Sequence, residues 1–384
     1  MATKTKRLTT TRQLIVRDSI TFLSLIAITV VLFVVTLFLF RSFQEHRAEL
    51  AQRWSDRGIA ALRDKRPDQA ITCYRTALSY APGERSYELS LAEALAQANK
   101  TEEAYNYFIG LRESRPGDGF INLQLARLAA KKPDVQSAIN FYRASIYGDW
   151  EGDGANRRRE VRLELAKYLI DQKQLGQAKT ELLVVGGNAP DDPELDATLG
   201  KLLEQVAAPS EAMEFFQKAL AAQPDNQAVL SEAGSLAYRS GDYSTASRLL
   251  ERAVQRQPED QKSSALLKQA RRILQLMPSE TLPSHERVDR ILTDRAIAKA
   301  RWDACSVQTV VPQASLQPLA ARWTGPEATA DRSALLHDSD KQNAALHLVY
   351  DTEIQTSQYC GTPTGDDALL LRLALAYATK GGSH

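Results

Sequence analysis

Three cysteines, three methionines and five histidines are scattered over 384 residues. No C-x-x-C or H-x-x-x-H spacing occurs among them, so nothing has the ligand spacing of a metal or redox centre. Charge of one sign is lacking too: 48 Lys and Arg stand against 47 Asp and Glu, a net charge of +1. This removes bulk electrostatics as a reason to expect nucleic acid or an anionic membrane surface as partner. The phosphate loops G-x-x-x-x-G-K-[ST] and G-x-G-x-x-G are absent, as are G-x-S-x-G and H-E-x-x-H, which leaves an enzyme no motif to stand on. The GDWEGDG stretch from Gly148 to Gly154 has acidic oxygens but not the ordered spacing of an EF-hand and reads as a surface loop. The expectation is a protein with no catalytic residues, no metal and no cofactor. Aromatics are only 7% of the chain, while Ala, Leu and Gln recur throughout, a composition that favours an all-α fold.

One hydrophobic run stands out. From Ser19 to Phe40 the chain carries no charge, Pro or Gly. As a helix it would extend roughly 33 Å, enough to cross a hydrocarbon core of about 30 Å. It exceeds the usual apolar core of a signal peptide, and no small-x-small cleavage site follows Phe40, so residues 19–40 are expected to stay in the lipid bilayer as an anchor. Lys4, Lys6, Arg7, Arg12 and Arg17 precede the span, against Arg41, Arg47 and Arg53 after it. That bias predicts a cytoplasmic N-terminus, residues 1–18, with the bulk of the chain outside the inner membrane, periplasmic in a bacterium.

Beyond the span the sequence repeats itself. A small residue, a bulky one four later and another small or apolar one seven later recur at Ala70/Tyr74/Ala77, Ala104/Phe108/Leu111, Ala138/Tyr142/Ser145, Ala178/Leu182/Val185, Ala212/Phe216/Ala219 and Ala246/Leu250/Ala253. The first member advances by 34, 34, 40, 34 and 34 residues. Twelve residues before it stand Gly58, Ala92, Ala126, Ala166, Gly200 and Gly234; twelve after it stand Pro82, Pro116, Pro190, Pro224 and Pro258. Such a period is the mark of stacked helix pairs, each unable to bury its apolar face alone. The small residues let two helices of one pair approach, Gly234 opposite Ala246 for instance. The bulky ones, Tyr74, Phe108, Tyr142 and Phe216, would fill the gap to the next pair.

This pattern resembles the tetratricopeptide repeat, with Trp54 at the family's tryptophan position in the first unit, Arg53 to Pro82. The resemblance runs from Leu50 to about Asp260. The third unit departs from it, with Trp150 in place of the proline and six extra residues near 148–156, a loop expected to bulge outward. The resemblance implies a right-handed superhelix, an α-solenoid of six units over 50–260, that binds other proteins or peptides in a groove lined by the first helix of each pair. Ser55, Ile59, Ser90, Phe120 and Gln124 occupy the places where chaperone-binding members carry a clamp for a C-terminal carboxylate, so that clamp is absent. Arg127, Lys167 and Lys201 hold equivalent positions in successive units, with Lys131 one turn beyond Arg127; these four are the candidate groove for an acidic peptide.

Residues 261–277 carry an apolar stripe suited to capping the array. Pro278 and Pro283 break the register, and a small, mostly helical region is expected over 284–384. Within it HLVYDTEIQT fits helix or strand, and residues 313–331 read as partly irregular. Cys305 and Cys360 would form a disulfide if this region is exported. The reading is a membrane-tethered adaptor of the cell envelope; the competing one is an enzyme or transfer factor with its chemistry in the C-terminal region.

Overall fold

The computed structural model describes residues 3–307 and 313–381, with side chains over 15–307 and 316–379. Lys4, Lys6, Arg7 and Arg12 therefore lie outside the described side chains. Every regular element is an α-helix, and no strand is present among the described residues. HLVYDTEIQT is helical, and much of 313–331 forms two short helices. Contacts divide the chain into two compact units, residues 1–168 and 169–384.

The first unit opens with α1 (Thr3–Arg63), one unbroken helix of 61 residues. Nothing in its sequence stops it, since no proline occurs before Pro67. From Ile15 to His46 every side chain is exposed, including Phe22, Phe33, Phe38 and Phe40. Among the described residues this is the one helix long and apolar enough to cross a membrane. Burial begins at Ala51 and continues to Ala61. The same helix that carries the apolar run thus becomes the first helix of the first repeat. Its partner is α2 (Pro67–Tyr80), followed by the pairs α3 (Arg85–Gln97) with α4 (Thr101–Ser114) and α5 (Gly119–Ala129) with α6 (Val135–Ile146). Helix α7 (Gly154–Asp171) begins in this unit.

The turn inside a repeat has a recurrent backbone. Lys65, Asn99, Lys173, Ala207 and Gly241 all take a left-handed conformation, with φ between 56° and 82°. After each, an amide donates five residues back: Arg66 to Ala61, Lys100 to Leu95, Gln174 to Leu169, Ala208 to Leu203 and Asp242 to Ala237. This is the Schellman stop, which satisfies the helix's last carbonyls. These residues repeat in the register of the repeats, but only Gly241 and Asn99 have a residue type that signals such a turn. In the third repeat the corresponding position is Pro133, whose ring forbids positive φ, and α5 ends differently.

The small residues lie where the two helices of a pair approach, as expected, but it is the bulky residues that they face. A Cβ added to Gly58 would lie 2.7 Å from the Tyr74 ring, one on Gly200 would lie 2.6 Å from Phe216, and one on Gly234 would lie 2.7 Å from Leu250. Each small residue therefore faces the bulky residue sixteen later, within its own helix pair. Gly234 opposes Leu250 rather than Ala246, and the bulky side chains seat in the pair's own cleft.

The second unit contains α8 (Leu175–Gly187), α9 (Pro193–Gln205), α10 (Pro209–Ala222), α11 (Gln227–Arg239), α12 (Tyr243–Arg256) and α13 (Gln261–Leu276). After a turn come α14 (Ser284–Ser306), α15 (Gln313–Trp323), α16 (Pro326–Thr329), α17 (Arg332–Leu336), α18 (Ser339–Tyr359) and α19 (Gly365–Gly381). Aspartate or asparagine caps many of these helices, as where Asp192, Asn226, Asp242, Asp260 and Asp338 accept from amides two or three residues on. One apolar core runs from Tyr238 and Leu250 through Leu267, Ile273 and Leu276 to Trp302, Leu348 and Leu373. The stripe on α13 is therefore covered by later helices. Arg372 of α19 reaches the last repeat itself, donating to the Tyr238 carbonyl at 3.0 Å and the Tyr243 hydroxyl at 3.1 Å while lying over the Tyr238 ring. Cys305 and Cys360, at the ends of α14 and α18, are joined in a disulfide with Cα atoms 5.5 Å apart; Cys73 is buried and free.

Candidate functional site

In the insert of the third repeat Glu151 to Asp153 are exposed, as expected of an outward loop, but Gly148 to Trp150 do not bulge. They fold back on the start of α5. Asp149 donates its amide to the Gly117 carbonyl at 2.7 Å and accepts from the Gly119 amide at 2.8 Å. The Trp150 indole donates to the Ser145 carbonyl at 2.9 Å, and the Ser145 hydroxyl donates to the Gly119 carbonyl at 2.8 Å. A Cβ on Gly119 would fall 2.5 Å from the Trp150 ring. Glycine is therefore what lets the ring lie against the helix start.

This folding back closes one side of a cavity of about 800 Å³ within the first unit. Its apolar lining comes from Leu89 of α3, Phe120 and Leu123 of α5, Trp150, and Val161 of α7. Five carboxylates (Asp118, Asp149, Glu151, Glu160, Glu164) and three guanidiniums (Arg115, Arg127, Arg157) complete it. Much of this charge is already paired. Arg127 makes a two-pronged bond to Glu164 at 2.7 and 2.8 Å, and the buried Tyr142 donates its hydroxyl to the same carboxylate at 2.9 Å. Arg157 pairs with Glu160 at 3.1 Å. Burial works to raise the Glu164 carboxyl, but bonding from Arg127, its charge, the Tyr142 hydroxyl and nearby Lys167 bring it below the usual carboxylate value. Burial, followed by the Glu164 charge, pushes the Tyr142 hydroxyl up.

Of the cationic stripe read from the sequence, Arg127, Lys131 and Lys167 lie in the first unit and Lys201 in the second, and Lys167 acts on the same Glu164 carboxylate as Arg127. Arg127 lines the cavity, with its guanidinium occupied by Glu164. Lys131 sits in the turn after α5 has ended, not one helical turn further along it. Lys167 is exposed on α7 and is not among the lining residues. Lys201 is exposed on α9, in the other unit. What sequence reasoning missed is that the insert lines this cavity through Asp149, Trp150 and Glu151, for which Trp150 standing in the proline's place was the available signal.

A second set of unusual groups lies in the second unit. Asp294 on α14 and Glu353 on α18 are fully buried, and none of their four carboxyl oxygens has a hydrogen-bond partner among the described residues. The nearby cations are committed elsewhere. Arg272 forms a two-pronged bond with Asp366 at 2.6 and 2.9 Å, Arg290 donates to the Leu274 and Met277 carbonyls, and Arg301 donates to Thr356 and the Gly361 carbonyl. Arg301 stays 4.0 Å from Glu353, too far to hydrogen-bond it. Burial accordingly pushes both Asp294 and Glu353 up to about 8, which favours the neutral acid form near neutral pH.

Family profiles described as tetratricopeptide repeat match residues 55–118 and 207–270. No curated protein matches the chain. Solved structures similar to it include YrrB, described as a TPR protein with an unusual peptide-binding site, at 16% identity and a TM-score of 0.40, covering 51% of this chain and 97% of that one. Another is the C-terminal part of a TPR repeat-containing protein from Cytophaga hutchinsonii, at 14% identity and 0.48, covering 60% and 97%. PilW, described as a type IV pilus biogenesis factor, matches at 15% identity and 0.40, covering 57% and 98%. With two stretches matched by the family's profiles, and helix pairs that repeat in the same register, the chain carries tetratricopeptide repeats.

Proposed function

We propose that this protein is a membrane-tethered scaffold that holds a partner protein at the cell envelope and performs no catalysis of its own. The repeats supply the protein-binding role. The observation that carries the tethering is the continuity of α1, in which an apolar run exposed on all sides passes without a break into the first helix of the first repeat. A helix of this kind fixes the first repeats close to the bilayer surface. Confinement there raises the effective concentration of any partner held in the same membrane, so weak contacts suffice for capture. The cation bias around residues 19–40 favours an N-terminus in the cytoplasm and repeats outside the inner membrane.

The test is a photoreactive residue at Leu89, which lines the cavity of the first unit, in the full chain within intact cells. Ultraviolet light should join the chain to one or a few envelope proteins. Crosslinks confined to lipid and to the chain itself would sink the scaffold reading. Protease added outside spheroplasts should digest the chain beyond Arg41, and full protection until detergent is added would reverse the orientation.

A further inference from the structure

We infer that the cavity of the first unit takes a cationic segment of the partner protein, with a Lys or Arg side chain held by Trp150, Asp149 and Glu151. This rests on the scaffold reading and adds the chemistry of the partner. The reasoning turns on which charges are left over. Arg127 and Arg157 are occupied by Glu164 and Glu160. Asp118 caps its own helix through the Ile121 amide and has Arg85 at 3.7 Å. The carboxylates of Asp149 and Glu151 are exposed and have no hydrogen-bond or ion-pair partner among the described residues. Against these two open anions the lining offers one open cation, Arg115. A peptide bearing negative charge would meet an excess of like charge there, whereas a basic one meets two free acceptors.

Trp150 sharpens the selection. Its indole is only half-buried, and its position is fixed by the bond to Ser145 and by contact with Gly119. A tryptophan ring lining the same cavity as two free carboxylates is suited to a guanidinium or ammonium, which the ring attracts through its quadrupole. Phe120 and Leu123 give an apolar neighbour of that cation a place to rest. Because the insert is already held by backbone bonds, the site loses little freedom when occupied. An extended peptide with a basic residue next to an apolar one fits these requirements.

The test pans a library of random heptapeptides displayed on phage against the full chain in a non-ionic detergent. Enriched peptides should carry Lys or Arg beside an apolar residue. Their fluorescein-labelled copies should bind the Asp149→Asn, Glu151→Gln double variant on the order of tenfold more weakly, and added salt should weaken binding to the parent more than to the variant, narrowing that gap. A charge-matched control, Glu113→Gln with Glu259→Gln on exposed surface, should bind as the parent does. Enrichment of acidic peptides, or equal weakening in the control, overturns the proposal. So do selected peptides indifferent to the Asp149 and Glu151 changes, while protein crosslinks from Leu89 would then still leave the scaffold reading standing. Loss of those crosslinks together with an empty selection removes both.

Discussion

Replacing Asp294 by Asn should make the second unit more stable, and by an amount that grows with pH. Asp294 is packed between α13, α14, α18 and α19, with Arg272, Arg290, Asp366 and Glu353 as the charges that act on it. Burial dominates, raising the carboxyl from 3.8 to about 8. A carboxyl whose folded value lies above its unfolded one contributes fully below the unfolded value, near pH 4, and loses that contribution as pH climbs through the folded one. Each pH unit in this window costs about 1.4 kcal/mol per group, so Asp294 alone accounts for at most about 5 kcal/mol by pH 8. Glu353, raised from 4.5 to about 8, adds a parallel loss. Asn cannot ionise, and it fills the same space. Between pH 6 and 8 the parent should lose up to about 3 kcal/mol per pH unit, and the variant about half of that. Hydrogen exchange of peptides from α14, α18 and α19, corrected for the intrinsic pH dependence of exchange, measures the opening free energy directly. Protection in the parent that is level or rises from pH 6 to 8 would refute the assignment of these acids as buried and unpaired. A slope left unchanged by Asn would refute it for Asp294.

Three further outcomes are expected. Ala207→Gly should stabilise the second unit by about 1 kcal/mol in urea unfolding, because Ala207 sits at a φ of 56° where glycine avoids the Cβ cost; no gain would mean that the turn is not held in that conformation. Gly200→Ala should cost about 1–3 kcal/mol, since the new Cβ falls 2.6 Å from the fully buried Phe216, and Phe216→Leu in the same chain should recover part of it in a double-mutant cycle. Replacing Cys305 and Cys360 by Ala removes a crosslink spanning 55 residues, worth about 4 kcal/mol in the loop-entropy model. Protein quenched with acid from cells should resist alkylation at both positions, and free alkylation there would remove one support for a location outside the cytoplasm.

The fold was legible because its signals are local and periodic. Ala70, Ala104, Ala138, Ala178, Ala212 and Ala246 mark equivalent positions on second helices, and a period of 34 has few structural meanings. The turns were harder to see. Lys65, Lys173 and Ala207 adopt the conformation of Gly241 without its residue type, so only the hydrogen bonds after them reveal the stop. Pairing between helices was misread for a similar reason. Spacing shows which residues are small and which are large, but not that Gly58, Gly200 and Gly234 look one helical turn further along the partner helix, onto Tyr74, Phe216 and Leu250.

The charge of the candidate surface was less legible. A row of Arg127, Lys167 and Lys201 at one register position suggests a basic face only while the charges nearby in space are unknown. Glu164 lies 37 residues from Arg127 in sequence, yet takes both prongs of its guanidinium. Once that pair is closed, the charge a ligand meets is set by what stays open. The open acids, Asp149 and Glu151, belong to residues that the repeat pattern treats as an interruption. In a repeat array the shared positions must serve packing between helices, so they are alike from unit to unit and carry little information about a particular partner. An insertion is free of that duty. Here it is anchored by Gly119 and Ser145 and presents Trp150 to the cavity, so the proposed selectivity toward a partner rests on the departure from the repeat.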